Sequence, residues 1–445
     1  MKTILPPGPR GLPLLGSLRS LRANRLDFIS NNRDTYGDIV YFRVGPRRVY
    51  QLNNPEYVQY VLVKHPEKFH KSSALKRATK QTIGQGLLTS DGELHKRQRK
   101  LVQPSFHHNR ISVYADVMVQ YTNSMLEDWT ENQCLDIAHE MMRLTMRIVA
   151  KTLFDADVSE DANSIGAAIT TGLEATMERI TRLTQIFEKL PTPTNQKRHK
   201  AFKFLDDTIT GIINERRSRG EDKGDLLSML LMAEDEETGD QMSNEQVRDE
   251  AVTLFIAGHE TTANALAWTF YLLSQHPEVE YRLVAEIRDV LAGRNPTLAD
   301  LQRLPCLLMV IKESMRLYPP AWVTTREVQE SFELGGYTIP KGSMVMTSTY
   351  AIHRDPRYWE KPELFIPERF STQNEAQIPK YAYFPFGGGP RVCVGNQFAM
   401  MEAQLVLATI LQRYHLSLIQ GQQIIPQPLV TLRPKYGIKM VINHR

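Results

Sequence analysis

The 445-residue sequence predicts a mainly α protein with a small β region beside it, and three observations carry that expectation. Helical periodicity dominates residues 114–317, broken most clearly at Pro191-Thr192-Pro193-Thr194 and in the charged stretch 234–240. Strand-like alternation is confined to residues 39–52, 332–347 and 429–442, each punctuated by glycine or proline. One helix is unusually long. Ser243 with Gln246 three residues on makes a capping box, and Pro277 ends the run about 30 residues later, a span of about 45 Å at 1.5 Å per residue.

Each element follows from its residues. The long helix carries an apolar stripe of Val247, Ala251, Leu254, Phe255, Ala265 and Leu272, so it is expected to cross the middle of the molecule. No internal repeat or low-complexity tract divides the chain. A single domain over residues 1–445 is expected, its β-rich part drawn mainly from 36–55, 328–350 and 415–443.

Composition excludes several classes. Lys+Arg at 54 against Asp+Glu at 50 gives a formal charge of +4, too little for the basic footprint of a nucleic-acid binder. Three cysteines at wide spacing, Cys134, Cys306 and Cys393, supply neither a disulfide framework nor a paired zinc site, which fits a reducing compartment. The charge-free stretch 261–277 falls short of the roughly 20 apolar residues of a membrane span. Pro6-Pro7-Gly8-Pro9 comes before any signal-peptide run could form, so a cytoplasmic location is expected. His259-Glu260 begins like a zinc-protease HExxH, but Ala263 stands where the second histidine belongs. Phosphate-loop and nucleophile-elbow motifs are missing.

Two segments carry chemistry. Ala257-Gly258-His259-Glu260-Thr261-Thr262 lies inside the apolar stripe, where a glycine costs about 1 kcal/mol relative to alanine and Glu and Thr suit a core poorly. Locally unfavourable sequence of this kind marks function. The second is Phe386-Gly387-Gly388-Gly389-Pro390-Arg391-Val392-Cys393-Val394-Gly395, which runs into an apolar helical segment. A cysteine at a helix entrance meets free N–H groups and the helix dipole, which favour the thiolate, a soft ligand suited to iron. Glycines let other amides approach the sulfur, and Arg391 can grip a carboxylate. Cys134 and Cys306 lack this setting and are expected to be inert packing residues.

FxxGxRxCxG is matched at every fixed position, and the segment resembles the haem-thiolate loop of the cytochrome P-450 superfamily. The resemblance extends from the Pro6–Pro9 hinge to a hairpin near Lys435-Tyr436-Gly437. Glu313 and Arg316 match the family's ExxR and, with Arg369 of Pro367-Glu368-Arg369-Phe370, would brace the haem-thiolate side. Residues 257–262 resemble AGx[DE]TT, in which Gly258 leaves room over the haem while Glu260 and Thr261 deliver protons. The plain alternative for Thr261 is a helix kink from back-bonding. His95 and Arg99 fall at the [WH]xxxR position, His95 departing from the commoner Trp, and Arg326 is a third contact to the haem propionates.

The resemblance implies a triangular helical prism with its long central helix over the haem, and haem b as cofactor with no bound flavin. Cys393 would be the metal ligand, with Arg391, His95, Arg99, Arg326, Phe386, Gly387, Gly395 and Ala257 around the cofactor. Leu88, Leu254, Phe255, Ala257, Trp322, Val323 and Val430 would contact substrate. The implied function is a soluble, bacterial-type, monomeric monooxygenase without fused reductase, inserting one atom of O2 into a lipophilic substrate of the fatty-acid or terpenoid class. Its electrons would come from a ferredoxin or flavodoxin with an NAD(P)H-dependent reductase. A haem-thiolate isomerase, dehydratase or peroxygenase, and a haem gas sensor, are the alternatives. The run Lys64, Lys68, Lys71, Lys76, Arg77 and Lys80 reads as a solvated face, whereas Lys96, Arg97 and Lys100 would meet an acidic electron carrier.

Overall fold

The long helix spans Asn244–Gln275, and both ends are set as expected. Ser243 Oγ accepts from the Gln246 N–H at 3.2 Å while Gln246 Oε1 accepts from the Ser243 N–H at 2.9 Å, and Pro277 opens the next helix, Pro277–Leu291. The structure, a computed structural model, describes residues 4–107, 112–181, 192–233, 239 and 241–445. Most of the long helix is buried, packed between the helices Ile137–Phe154 and Asn396–Leu411. Gly258 permits that closeness, since a Cβ there would come within 3.1 Å of Val149. Its small size thus serves helix packing.

Twelve strands lie among the described residues: β1 (Ile39–Val44), β2 (Arg47–Leu52), β3 (Phe69–Lys71), β4 (Cys134–Asp136), β5 (Thr324–Val328), β6 (Phe332–Leu334), β7 (Tyr337–Ile339), β8 (Met344–Thr347), β9 (Tyr414–Leu418), β10 (Pro426–Pro428), β11 (Leu432–Pro434) and β12 (Lys439–His444). The largest sheet runs β1-β2-β8-β5-β3, with β2 and β8 parallel and the other neighbours antiparallel. A three-stranded sheet β4-β12-β9 and the hairpins β6–β7 and β10–β11 complete the β region. The sheet begins earlier than residue 328, and β3 and β4 fall outside the expected β segments. Three-residue strands are held by their partners and show no alternation of their own.

Other expectations needed correction. Thr192 is a helix cap whose side chain accepts from the Asn195 N–H, and Pro193 opens the helix Pro193–Arg219 where its missing N–H costs nothing. Pro191 and most of the 234–240 stretch lie outside the described residues. The Pro6–Pro9 segment is docked, with Pro7 O accepting from the Tyr41 N–H at 2.9 Å and no room for a Cβ on Gly8. Cys134 stands exposed on β4 and packs nothing, while Cys306 is half-buried with its thiol pushed up to about 11 by burial.

Glu313 and Arg316, fully buried on the helix Pro305–Leu317, pair through two hydrogen bonds of 2.7 and 2.8 Å. Arg369 Nε reaches Glu313 at 3.3 Å, and the remaining Arg316 donors take the carbonyls of His353, Pro362 and Leu364. His353 passes the connection on, its Nε2 accepting from the Phe384 N–H at 2.9 Å. The ExxR pair thereby holds the segment leading to Cys393. Removing one partner of a buried pair typically costs about 3–5 kcal/mol, so Arg316→Met should lower the urea midpoint of unfolding by that equivalent. A wild-type midpoint would show the network to be dispensable.

Candidate active site

Backbone conformation shapes the loop before Cys393. Gly387 and Gly389 adopt φ of 74° and 65°, and a Cβ on Gly389 would sit 1.9 Å from Leu62 O, so only glycine fits there. The Cys393 N–H donates to Phe386 O at 2.9 Å, and Arg99 Nη1 donates to Val392 O at 2.5 Å. Cys393 is accessible to solvent although protein surrounds it, the signature of a residue lining an interior recess. Burial pushes its thiol up, against the Gly395 N–H and the Arg99 charge. The helix Asn396–Leu411 begins three residues later with Gly395 as its cap.

Around the recess, positive charge accumulates with little to balance it. The β3–β5 register places Lys71 directly opposite Arg326, a like-charged pair that a sheet ordinarily avoids. Arg391 bonds Ser90 O at 2.9 Å and pairs with Asp91 through Nη2, while its Nη1 is buried without a partner. Asp91 already serves Lys76 at 2.6 Å and the Lys71 N–H. Burial, with Arg391 adding, lowers Arg326 to about 10. Lys71 is pushed well down by burial and by Arg326. His95 is held at about 4 by burial and by Arg391, Lys71 and Arg99. Asp91 is the carboxylate that Lys71, Lys76, His95, Arg326 and Arg391 have in common.

A cavity of about 400 Å³ opens along the central helix, lined by Thr253, Ile256, Ala257, Glu260 and Thr261. Leu88, Trp322, Val323 and Val430 line it as expected. Leu254 and Phe255 do not, Phe255 because at 100° per residue it points to the far side of the helix from 253, 256, 257, 260 and 261. Both are buried in the helical core, where the Phe255 ring lies 5.9 Å from Phe154. Ala257 is exposed although it sits in the middle of the helix, so the backbone borders open space there. Burial raises the Glu260 carboxyl to about 7, against a hydrogen bond from Thr431 and the charge of Arg433. Thr261 Oγ1 donates to Ala257 O at 2.9 Å, the back-bond of the kink reading, and the residue still lines the cavity.

A family model, Cytochrome P-450, matches residues 6–441. The chain belongs to the cytochrome P-450 family. Cyclooctatin synthase from Streptomyces melanosporofaciens is 39% identical over 426 residues, covering 95% of this chain and 92% of that relative. Cyclooctat-9-en-7-ol 5-monooxygenase from the same organism is 39% identical over 417 residues, covering 93% and 90%. Pentalenene oxygenase from Streptomyces avermitilis is 32% identical over 438 residues, covering 98% and 97%.

As a P-450, the protein is a monooxygenase whose haem b is carried on a cysteine thiolate, and which needs O2 and an external source of electrons. The residues present fit that cofactor. Two propionates would supply negative charge where Lys71, His95, Arg99, Arg326 and the unpartnered Arg391 Nη1 lack it. Lys71 was missed in the sequence because it sits in a basic run that reads as a solvated face, and only the β3–β5 pairing turns it inward. Among the described residues no helix is long and apolar enough to cross a membrane. Lys71→Met should weaken haem binding by about tenfold, the worth of one hydrogen bond to a charged group, while leaving the cofactor-free protein no less stable. Haem titration and urea unfolding of the apoprotein check the two halves, and unchanged haem affinity would remove Lys71 from the site.

Proposed function

We propose that Cys393 ligates the haem iron and that this P-450 oxygenates a terpenoid-class substrate, with Glu260 and Thr261 managing protons. The observation that carries the reading is an acid and a hydroxyl side by side on the wall of a largely apolar cavity. Haem with a thiolate ligand supplies the activation of O2. The protein's own residues do the rest. Glu260, poised near neutrality by burial, can give up and regain a proton at its carboxyl. Thr261 commits its hydrogen to Ala257 O, so its oxygen lone pairs are free to accept from a water. The apolar lining of Leu88, Ile256, Trp322, Val323 and Val430 binds a lipophilic molecule and excludes bulk water.

Terpenoid is favoured over fatty acid by relatives whose names specify cyclooctat-9-en-7-ol and pentalenene. Electron delivery is assigned to a ferredoxin or flavodoxin meeting the helix Gly92–Val102, on which His95 is turned inward while Lys96 and Lys100 are exposed. Lys96 pairs with Glu93 at 2.7 Å, a surface contact that a partner can displace. A monomeric, single-domain enzyme working in the cytoplasm completes the proposal.

The haem spin-state shift tests substrate class, with pentalenene and cyclooctat-9-en-7-ol compared against palmitic acid; a response to palmitic acid alone would overturn the terpenoid assignment. For the proton route, Thr261→Ala should keep haem while product per NAD(P)H falls and hydrogen peroxide rises, by less than the about 10²-fold of a lost proton donor because water replaces it. Wild-type coupling in that variant would reduce Thr261 to a kink residue. Glu260 loses its proton as pH rises through about 7, so coupling should decline on the alkaline side, and Glu260→Gln should abolish that decline.

A further inference from the structure

Glu260 takes its hydrogen bond from outside its own helix. Thr431, in the turn between β10 and β11, donates its hydroxyl to Glu260 Oε1 at 2.5 Å across 171 residues of sequence. Asn264, one turn along the central helix, donates to Thr431 Oγ1 at 3.4 Å. Thr431 and Glu260 are only 7% and 2% exposed, and both line the cavity. The turn is well anchored: Trp322 Nε1 donates to Leu429 O at 2.9 Å, Trp268 Nε1 to Leu432 O at 3.1 Å, and the Leu432 N–H to Pro320 O at 2.9 Å. Arg433, the charged group facing Glu260 from the same hairpin, is engaged by Glu174 of the helix Ala162–Thr181 at 2.6 Å and by Gln427. The direct contact therefore falls to Thr431.

We infer that Thr431 is a positioning residue for Glu260, fixing the carboxyl at the cavity wall so that the hairpin touching substrate also sets the geometry of proton supply. A glutamate has three rotatable side-chain bonds, and in an apolar wall little else would hold its head group in one place. The hydroxyl engages Oε1, leaving Oε2 for proton exchange. Donation to a carboxylate also favours the ionised form and opposes the effect of burial. The inference rests on the reading of Glu260 as the proton-handling acid.

Infrared pH titration of the substrate-free ferric holoenzyme tests it, with the carboxyl band assigned by its loss in Glu260→Gln. Thr431→Val removes the hydroxyl and keeps the shape, whereas Thr431→Ser keeps the hydroxyl. One hydrogen bond is worth about fivefold, so Thr431→Val should raise the Glu260 midpoint by about 0.7 pH unit and move its C=O stretch to higher frequency. Coupling on pentalenene or cyclooctat-9-en-7-ol should fall by about the same factor, and Thr431→Ser should restore all three. An unmoved band and midpoint in Thr431→Val, or a serine variant that behaves like valine, overturns the inference. A band that responds while Glu260→Gln leaves coupling intact overturns the acid role of Glu260 and leaves the contact standing.

Discussion

Among the described residues, Lys71, Arg326 and Arg391 crowd around one carboxylate, Asp91, that Lys76 also engages, and this excess of positive charge marks the side that the haem propionates would meet. The fold holds the cations together against their repulsion by backbone means: β3 pairs with β5, Arg391 is tethered to Ser90 O, and Arg99 to Val392 O. A ligand with two carboxylates turns this repulsion into attraction. If the cluster meets the haem propionates as proposed, cofactor binding and folding would be coupled, since whatever neutralises the cluster also stabilises the sheet edge and loop that carry it.

The segment leading to Cys393 is organised by a different constraint, rigidity. Glu313, Arg316 and Arg369 form a desolvated network whose outlying bonds reach His353, and through it the Phe384 N–H. Such a network need not stabilise more than apolar residues would, but it cannot lose a member cheaply, so it enforces one conformation. The glycines at 387 and 389 then let the chain turn sharply against Leu62 and deliver Cys393 to the recess. On the proposed reading, charge would select the ligand and the buried network would fix where Cys393 stands.

What was legible in the sequence was local. The capping box, the Pro277 stop, the strand-like alternation over 39–52, the ExxR pair and the glycine-rich cysteine loop depend on neighbours a few residues apart, and all stand where the pattern put them. What was illegible depends on register or on long-range contact. Lys71 needed the β3–β5 pairing, and Thr431 needed a hairpin 171 residues from its partner. Phe255 was misassigned by a rotation of the central helix, a phase that the apolar stripe alone leaves open because the helix is buried nearly all round.

The proposed haem-thiolate centre turns on a single sulfur, and the absorption spectrum of the reduced, carbon-monoxide-treated protein reports on it directly. The wild-type protein should show the strongly red-shifted Soret band of a thiolate-ligated haem. Cys134→Ser and Cys306→Ser should retain that band, and Cys393→Ser should lose it. A Cys393→Ser variant with the wild-type band would contradict the assignment of the recess, the cationic cluster and the cavity to one haem-thiolate centre.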